Sequence, residues 1–208
     1  MRPSLPYLLI GFASWPVLSG LFRLRAVGQK HLPESQGFVL AANHLSNLDP
    51  WALGLPLFPQ RWLRFMAKSE LYWWPLGALL RVGGAFPVRR GEGDLEAIET
   101  AIRLCREGQI VVMFPEGTRS KKGLAKKHRP RPHTGAARIA LAATVPLVPA
   151  AIKGTERLAR LGPIRVAYGA PVALDDLRDR PLTDGAHVAT GRLMNAIERL
   201  HEGLGSDR

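Results

Sequence analysis

Cysteine is almost absent from this chain, whose 208 residues include only Cys105. A single cysteine excludes an internal disulfide and any metal site built from several thiolates. Cys105 is spaced from Ile98 and Ile102 like a residue on the same helical face, so we expect a buried structural thiol rather than a nucleophile. We predict no metal site and no bound cofactor.

Two motifs that mark common enzyme classes are also missing. The chain has neither a glycine-rich phosphate loop of the nucleotide-binding kinds nor a Gly-x-Ser-x-Gly nucleophile elbow. It has no internal repeat and no low-complexity segment. Its 208 residues are enough for one domain with a hydrophobic core and few for two. Apolar residues make up 46% of the chain, which argues against disorder.

Acidic residues are the minority charge, with 17 Asp and Glu against 29 Lys and Arg, for a formal net charge of +12. This excess points to nucleic acid, an anionic membrane surface or phosphorylated substrates. The segment from Arg119 to Arg131 alone holds seven basic residues. Such a run is most often only solvated, but beside an apolar segment it also suits lipid headgroups, at about 1 kcal/mol per basic residue.

The N-terminus contains no charged residue from Pro3 to Phe22. As a helix this segment would be about 30 Å long, close to the hydrocarbon thickness of a bilayer. The segment has no clear cleavage site, which argues against a signal peptide. Its Pro and Gly residues would weaken a full transmembrane helix. We expect a helix or helical hairpin that dips into one leaflet. The predicted division is a membrane-associating segment, 1–22, and a catalytic domain, 23–208.

Apolar runs alternate with segments of helical periodicity along the rest of the chain. Strands are predicted over Phe22–Val27, from Phe38, over Leu63–Ala67, over Ala85–Val88, from Ile110, over Leu147–Ile152 and over Ile164–Tyr168. Helices are predicted from about Pro50 and over Trp73–Leu80, Glu92–Arg106, Thr134–Ala142 and His187–Leu204. This alternation predicts an α/β fold with a largely parallel central sheet flanked by helices. Functional loops then gather at the carboxyl ends of the strands, where His44, Arg89 and Glu116 fall.

The segment Asn43-His44-Leu45-Ser46-Asn47-Leu48-Asp49-Pro50 places a histidine and an aspartate between a predicted strand and a predicted helix. A histidine can take a proton from a hydroxyl, and a nearby aspartate can fix its tautomer. On one continuous helix the two side chains would lie about 140° apart, whereas a tight strand-to-helix loop lets them meet. The alternative is an Asp49 that only caps the helix and a His44 that only lines a loop.

A second polar loop, Phe114-Pro115-Glu116-Gly117-Thr118-Arg119-Ser120, follows the apolar run that begins at Ile110. Together the two segments resemble the glycerolipid acyltransferase family, which includes lysophosphatidate and glycerol-3-phosphate acyltransferases. The segment 83–90 resembles the second block of that family and 145–150 its fourth, so the resemblance runs from about Phe22 to about Pro171. Many lysophosphatidate acyltransferases carry an aspartate before the second-block arginine, where this chain has Val88.

The resemblance implies an enzyme that moves a fatty acyl group from an acyl thioester to the free hydroxyl of lysophosphatidate, giving phosphatidate. The donor would be acyl-CoA or acyl carrier protein, with His44 as general base and Asp49 orienting it. Residues implied to contact the acceptor and its phosphate are Arg89, Glu116, Gly117, Thr118 and Arg119. Alternatively, Glu116 and Arg119 pair with each other on the loop and Arg89 is a solvated charge.

The implied location is the cytoplasmic face of the cell membrane, as a peripheral or monotopic protein, with an anionic membrane surface and a lysophospholipid as partners. Other acceptors remain open, namely glycerol 3-phosphate or another lysophospholipid. A hydrolase in which His44 and Asp49 activate water is a different class, and the missing serine elbow counts against it. A nucleic-acid binder is a third class, but the basic run holds no aromatic residue, so no nucleic acid is expected.

Overall fold

A computed structural model describes residues 5–88, 94–117 and 132–205. Its strands are β1 (Arg25–Val27), β2 (Phe38–Ala42), β3 (Leu63–Lys68), β4 (Ala85–Val88), β5 (Ile110–Met113), β6 (Leu147–Lys153) and β7 (Arg165–Tyr168). Its α-helices are α1 (Leu5–Pro16), α2 (Asp49–Gly54), α3 (Leu76–Val82), α4 (Asp94–Arg106), α5 (Gly135–Ala143) and α6 (Leu182–Gly203).

The seven strands form one sheet in the order β1-β7-β6-β2-β5-β3-β4. The five strands from β6 to β4 in this order run parallel to their neighbours. At the other end, β7 pairs antiparallel with β6, and β1 pairs parallel with β7. The prediction of an α/β fold with a largely parallel central sheet is confirmed, and two strands at one edge run the opposite way.

Helices cover both faces of the sheet. The first face packs against α4, α5 and α6, and the second packs against α1 and α2. Because both faces are covered, all five residues of β2 are buried, as its unbroken apolar sequence predicts. Cys105 lies in the core of the first face with 1% of its surface exposed, as predicted.

Several boundaries differ from those predicted. β1 is shorter because Phe22 ends a π-helical turn, Val17–Leu21, and Arg23 has a φ of +45°. α3 begins three residues later than predicted because Pro75, which precedes it, disfavours helical backbone at Trp74. α6 begins earlier, directly after Pro181.

Helix α1 packs on the second face and also presents an apolar stripe to the outside. Gly11 is buried, while Leu5, Leu9 and Phe12 are each more than 60% exposed. Within the described ranges, no helix combines the length and the apolar character needed to cross a membrane. Leaflet insertion and the division at residue 22 stay predictions. Arg89, Thr118, Arg119 and the basic run to Arg131 lie outside the described residues.

Candidate active site

The loop between β2 and α2 brings His44 and Asp49 together. The His44 Nδ1 atom lies 2.7 Å from the Asp49 Oδ2 atom. The Asp49 side chain is fully buried, whereas 19% of the His44 side chain is exposed. The imidazole is therefore anchored from inside and accessible from outside.

Asp49 is held by donors on both of its oxygens. The backbone N–H groups of Leu45 and Ser46 donate to Oδ2 over 2.6 and 2.8 Å, so the loop folds around the carboxylate. Thr155 Oγ1 donates to Oδ1 over 2.5 Å. Because Oδ2 of Asp49 also accepts from the imidazole, the ring proton of a neutral His44 lies on Nδ1. The second ring nitrogen, Nε2, is left as the basic atom.

Two residues that the sequence analysis did not single out support this loop, Asn43 directly after β2 and Thr155 just beyond β6. Asn43 continues the ladder between β2 and β6, because its side-chain amide donates to Ile152 O over 2.9 Å and accepts from Ile152 N over 2.8 Å. Thr155 is 1% exposed and reaches Asp49 across 106 residues of sequence. No local pattern marks Thr155, although its place just beyond a strand end is a weak signal.

Strand β5 places Phe114 against the catalytic candidate. The rings of His44 and Phe114 are stacked, with centroids 4.2 Å apart and planes inclined by 19°. β5 is the direct neighbour of β2 in the sheet, so the two polar loops emerge side by side. The stack fixes the plane of the imidazole, and the hydrogen bond to Asp49 fixes how the ring is turned within that plane.

The second loop turns sharply after Phe114. Gly117 has a φ of +66° and donates from its N–H to Phe114 O over 3.0 Å. A side chain at Gly117 would collide with His133, whose Cδ2 and Nε2 atoms both lie 2.5 Å from the position of the missing Cβ. His133 also donates from its backbone N–H to Pro115 O over 2.8 Å. His133 was not predicted as a site residue.

Glu116 is half-buried on this loop, beside Gly117. The structure thus groups four of the predicted site residues, His44, Asp49, Glu116 and Gly117, on neighbouring loops at the carboxyl ends of β2 and β5. Among residues 5–88, 94–117 and 132–205, no cluster of three His, Cys, Asp or Glu side chains could hold a metal ion. With Nε2 facing outward, His44 could exchange a proton with a ligand, and the two loops could hydrogen-bond it.

Comparisons with known proteins find an acyltransferase family and relatives that share its name. The family model described as Acyltransferase matches residues 23–153. The 1-acyl-sn-glycerol-3-phosphate acyltransferase of Bacillus subtilis is 32% identical over 187 residues, which cover 87% of this chain and 89% of that protein. The Streptococcus pneumoniae protein of the same name is 27% identical, and the match covers 81% of this chain and 62% of the relative.

A solved structure has a similar fold. It is the crystal structure of the 1-acyl-sn-glycerophosphate acyltransferase PlsC from Thermotoga maritima, which aligns with a TM-score of 0.61. The alignment covers 93% of this chain and 86% of the PlsC chain. At 23% sequence identity, this likeness shows the fold alone.

Proposed function

The chain belongs to the acyltransferase family, and from that premise we propose that it transfers a fatty acyl group from an acyl thioester to lysophosphatidate, giving phosphatidate. The observation that carries the proposal is the His44 imidazole held by the buried Asp49 carboxylate over 2.7 Å. A thioester is already activated, so the transfer needs a general base and no protein nucleophile.

In the proposed reaction, His44 Nε2 removes the proton of the acceptor hydroxyl. The oxygen attacks the thioester carbonyl carbon, so that a C–O bond forms and the C–S bond breaks. The imidazolium then returns its proton to the leaving thiolate, which restores the neutral base. Asp49 stabilises the transient positive charge on the ring because its carboxylate accepts the Nδ1 proton.

The Glu116–Gly117 loop is the proposed acceptor site. Glu116 can accept a hydrogen bond from a glycerol hydroxyl, and the turn at Gly117 lets the backbone come close to a ligand. Arg89, Thr118 and Arg119 complete this proposal, with the arginines as forks for the acceptor phosphate. Support comes from the position of the loop, whose Phe114 stacks on His44.

We propose that the protein works at the cytoplasmic face of the cell membrane. Lysophosphatidate and phosphatidate are lipids, so an enzyme that uses them gains from contact with a bilayer. The exposed apolar stripe of α1 supports this location, since Leu5, Leu9 and Phe12 lie together on one side of the helix.

The test is consumption of an acyl thioester by the purified protein with each of several acceptors: lysophosphatidate, glycerol 3-phosphate, other lysophospholipids and water alone. The proposal predicts the highest kcat/KM with lysophosphatidate and formation of phosphatidate. A higher kcat/KM with glycerol 3-phosphate would change the acceptor, and equal thioester loss without any acceptor would make the protein a hydrolase.

A further inference from the structure

Three basic residues lie side by side on neighbouring strands at one edge of the sheet. Arg25 of β1 is in register with Arg165 of β7, and Arg165 is in register with Lys153 of β6. Residues directly opposite each other on paired strands point to the same face, and like charges in such positions destabilise a sheet. We call these three residues the cation row, Arg25–Arg165–Lys153. A bound anion would offset the repulsion between their positive charges.

The acidic residue that follows the row, Glu156, bonds within its own turn. Glu156 accepts the Gly154 N–H on Oε2 over 2.9 Å, and its Oε1 lies 3.2 Å from Arg157 Nε. In the part of the chain that the structure describes, no carboxylate oxygen lies within 4.0 Å of a side-chain nitrogen of the cation row. Burial and the charge of Lys153 lower the pKa of His201 on α6, whereas the charges of Glu156 and Glu202 oppose this shift.

A cavity of about 340 Å³ opens beside the row. Its lining includes three cations, Lys153, Arg157 and Arg165, and one carboxylate, Glu156, which pairs with Arg157. The volume falls in the range of small-molecule sites, and a site with several cations and backbone glycines suits a phosphate-bearing group.

The cavity lies close to the catalytic candidates. Lys153 ends β6, and Thr155, two residues further on, donates to Asp49. Because β6 and β2 are parallel neighbours, Lys153 and His44 emerge at the same edge of the sheet. The row faces α6, since Lys153 Nζ lies 2.7 Å from the position of a Cβ on Gly205. The apolar stripe of α1 is on the opposite face of the sheet.

We infer that the cation row and its cavity bind the phosphate groups of the acyl donor, a coenzyme A thioester. The inference rests on the proposed function, which needs a thioester at His44. Coenzyme A carries its phosphates at one end and its thiol at the other, joined by a long pantetheine arm. A phosphate site at the same edge of the sheet as His44 therefore suits this donor, even though it lies away from the reacting carbon. Lipid headgroups would meet the α1 face instead, and the acceptor phosphate has its proposed site at the Glu116–Gly117 loop.

The experiment compares two donors that carry the same acyl chain, acyl-CoA and phosphate-free acyl-pantetheine, with the variants Lys153→Gln and Arg165→Gln. We expect the KM for acyl-CoA to rise about tenfold in each variant, as for one lost charge-assisted contact. The KM for acyl-pantetheine should not change. Added salt should raise the KM for acyl-CoA in the unmodified protein and leave that for acyl-pantetheine unchanged.

The matched control is Arg103→Gln, which removes one exposed positive charge from α4, a helix that packs against β4 and β5 at the other end of the sheet. It should leave both KM values unchanged. Thermal unfolding of each variant should show an undiminished midpoint, because the substitutions in the row remove like-charge repulsion. Calorimetry with coenzyme A alone gives a readout without turnover and should show weaker binding by the same factor.

Equal changes in KM for both donors, or no change for either, would overturn the inference. So would variants that use acyl carrier protein less well with the KM for acyl-CoA unchanged. Variants that lose liposome binding with an unchanged donor KM would overturn it as well. Failure of the proposed function is distinguishable, since the unmodified protein would then transfer no acyl group from either donor. Calorimetry would still decide whether the row binds coenzyme A.

Discussion

Both oxygens of the Asp49 carboxylate accept hydrogen bonds from within the protein. Three N–H groups, from Leu45, Ser46 and His44, reach Oδ2, and the Thr155 hydroxyl reaches Oδ1. Burying a charged carboxylate is costly unless donors surround it, and these four donors supply that compensation. The arrangement holds the imidazole in one orientation and one tautomer.

Thr155→Val tests this compensation, because valine has nearly the same shape and lacks the hydroxyl. Asp49 Oδ1 would then be buried without this donor, at a cost of about 1–3 kcal/mol in the free energy of unfolding. We expect kcat to fall about tenfold, since a reoriented carboxylate no longer holds the ring. Chemical denaturation and steady-state kinetics measure the two effects.

Thr155→Ser is the matched control, since it restores the hydroxyl and should recover most of both losses. A shifted pH–rate profile in Thr155→Val that returns to normal in Thr155→Ser would identify a positioning residue. Wild-type kcat in Thr155→Val would show that the bond to Asp49 has no part in the reaction.

At the scale of elements, helix α1 is held in place by contacts with α2 and with the loop after it. Gly11 packs directly on the Phe58 ring, and Trp51 Nε1 donates to Ser14 Oγ over 3.0 Å. Burial also raises the pKa of Tyr7, which lies between the rings of Phe58 and Trp62. α1 is thus a packed element of the domain on its inner side.

Gly11→Leu should loosen this element, because the new side chain would overlap the Phe58 ring. Overpacking of this kind typically costs about 1–3 kcal/mol in the free energy of unfolding. Denaturation and limited proteolysis within residues 5–21 would measure it. Gly20→Leu is the control, since nothing lies within 4 Å of a Cβ at Gly20. Equal stability of the two variants would contradict the packing of α1 described above.

The elements themselves could mostly be predicted from the sequence. Buried strands such as β2 and β5 have unbroken apolar sequences, and Asp49-Pro50 marks the start of α2. The reversed direction of β1 and β7 could not be predicted, because strand pairing depends on contacts between distant segments. Thr155 was missed for the same reason, since only the folded sheet brings it to Asp49.

At the scale of the whole molecule, an apolar stripe and a large positive charge coexist. Leu9 and Trp15 of α1 are 61% and 44% exposed, and the net charge is +12. Burial of apolar side chains in lipid is insensitive to salt, whereas attraction to anionic headgroups is screened by it. Membrane attachment should therefore have two separable parts.

Replacing Leu9 and Trp15 together by Gln should remove the apolar part, because both are large apolar side chains of α1 that are exposed. In liposome co-sedimentation, the unmodified protein should stay bound in high salt. The double variant should bind only anionic liposomes at low salt. Unmodified protein that washes off at high salt would show that the α1 stripe does not enter lipid.

The most direct test of the central claim, that His44 is the general base, is the rate of acyl transfer from a thioester to lysophosphatidate by His44→Gln. His187→Gln, which removes an exposed histidine from α6, is the matched control. We predict a fall in kcat of about 10²- to 10⁴-fold for His44→Gln, with an unchanged unfolding midpoint, and wild-type kcat for His187→Gln. A folded His44→Gln protein with kcat close to that of the wild type would contradict the proposed mechanism.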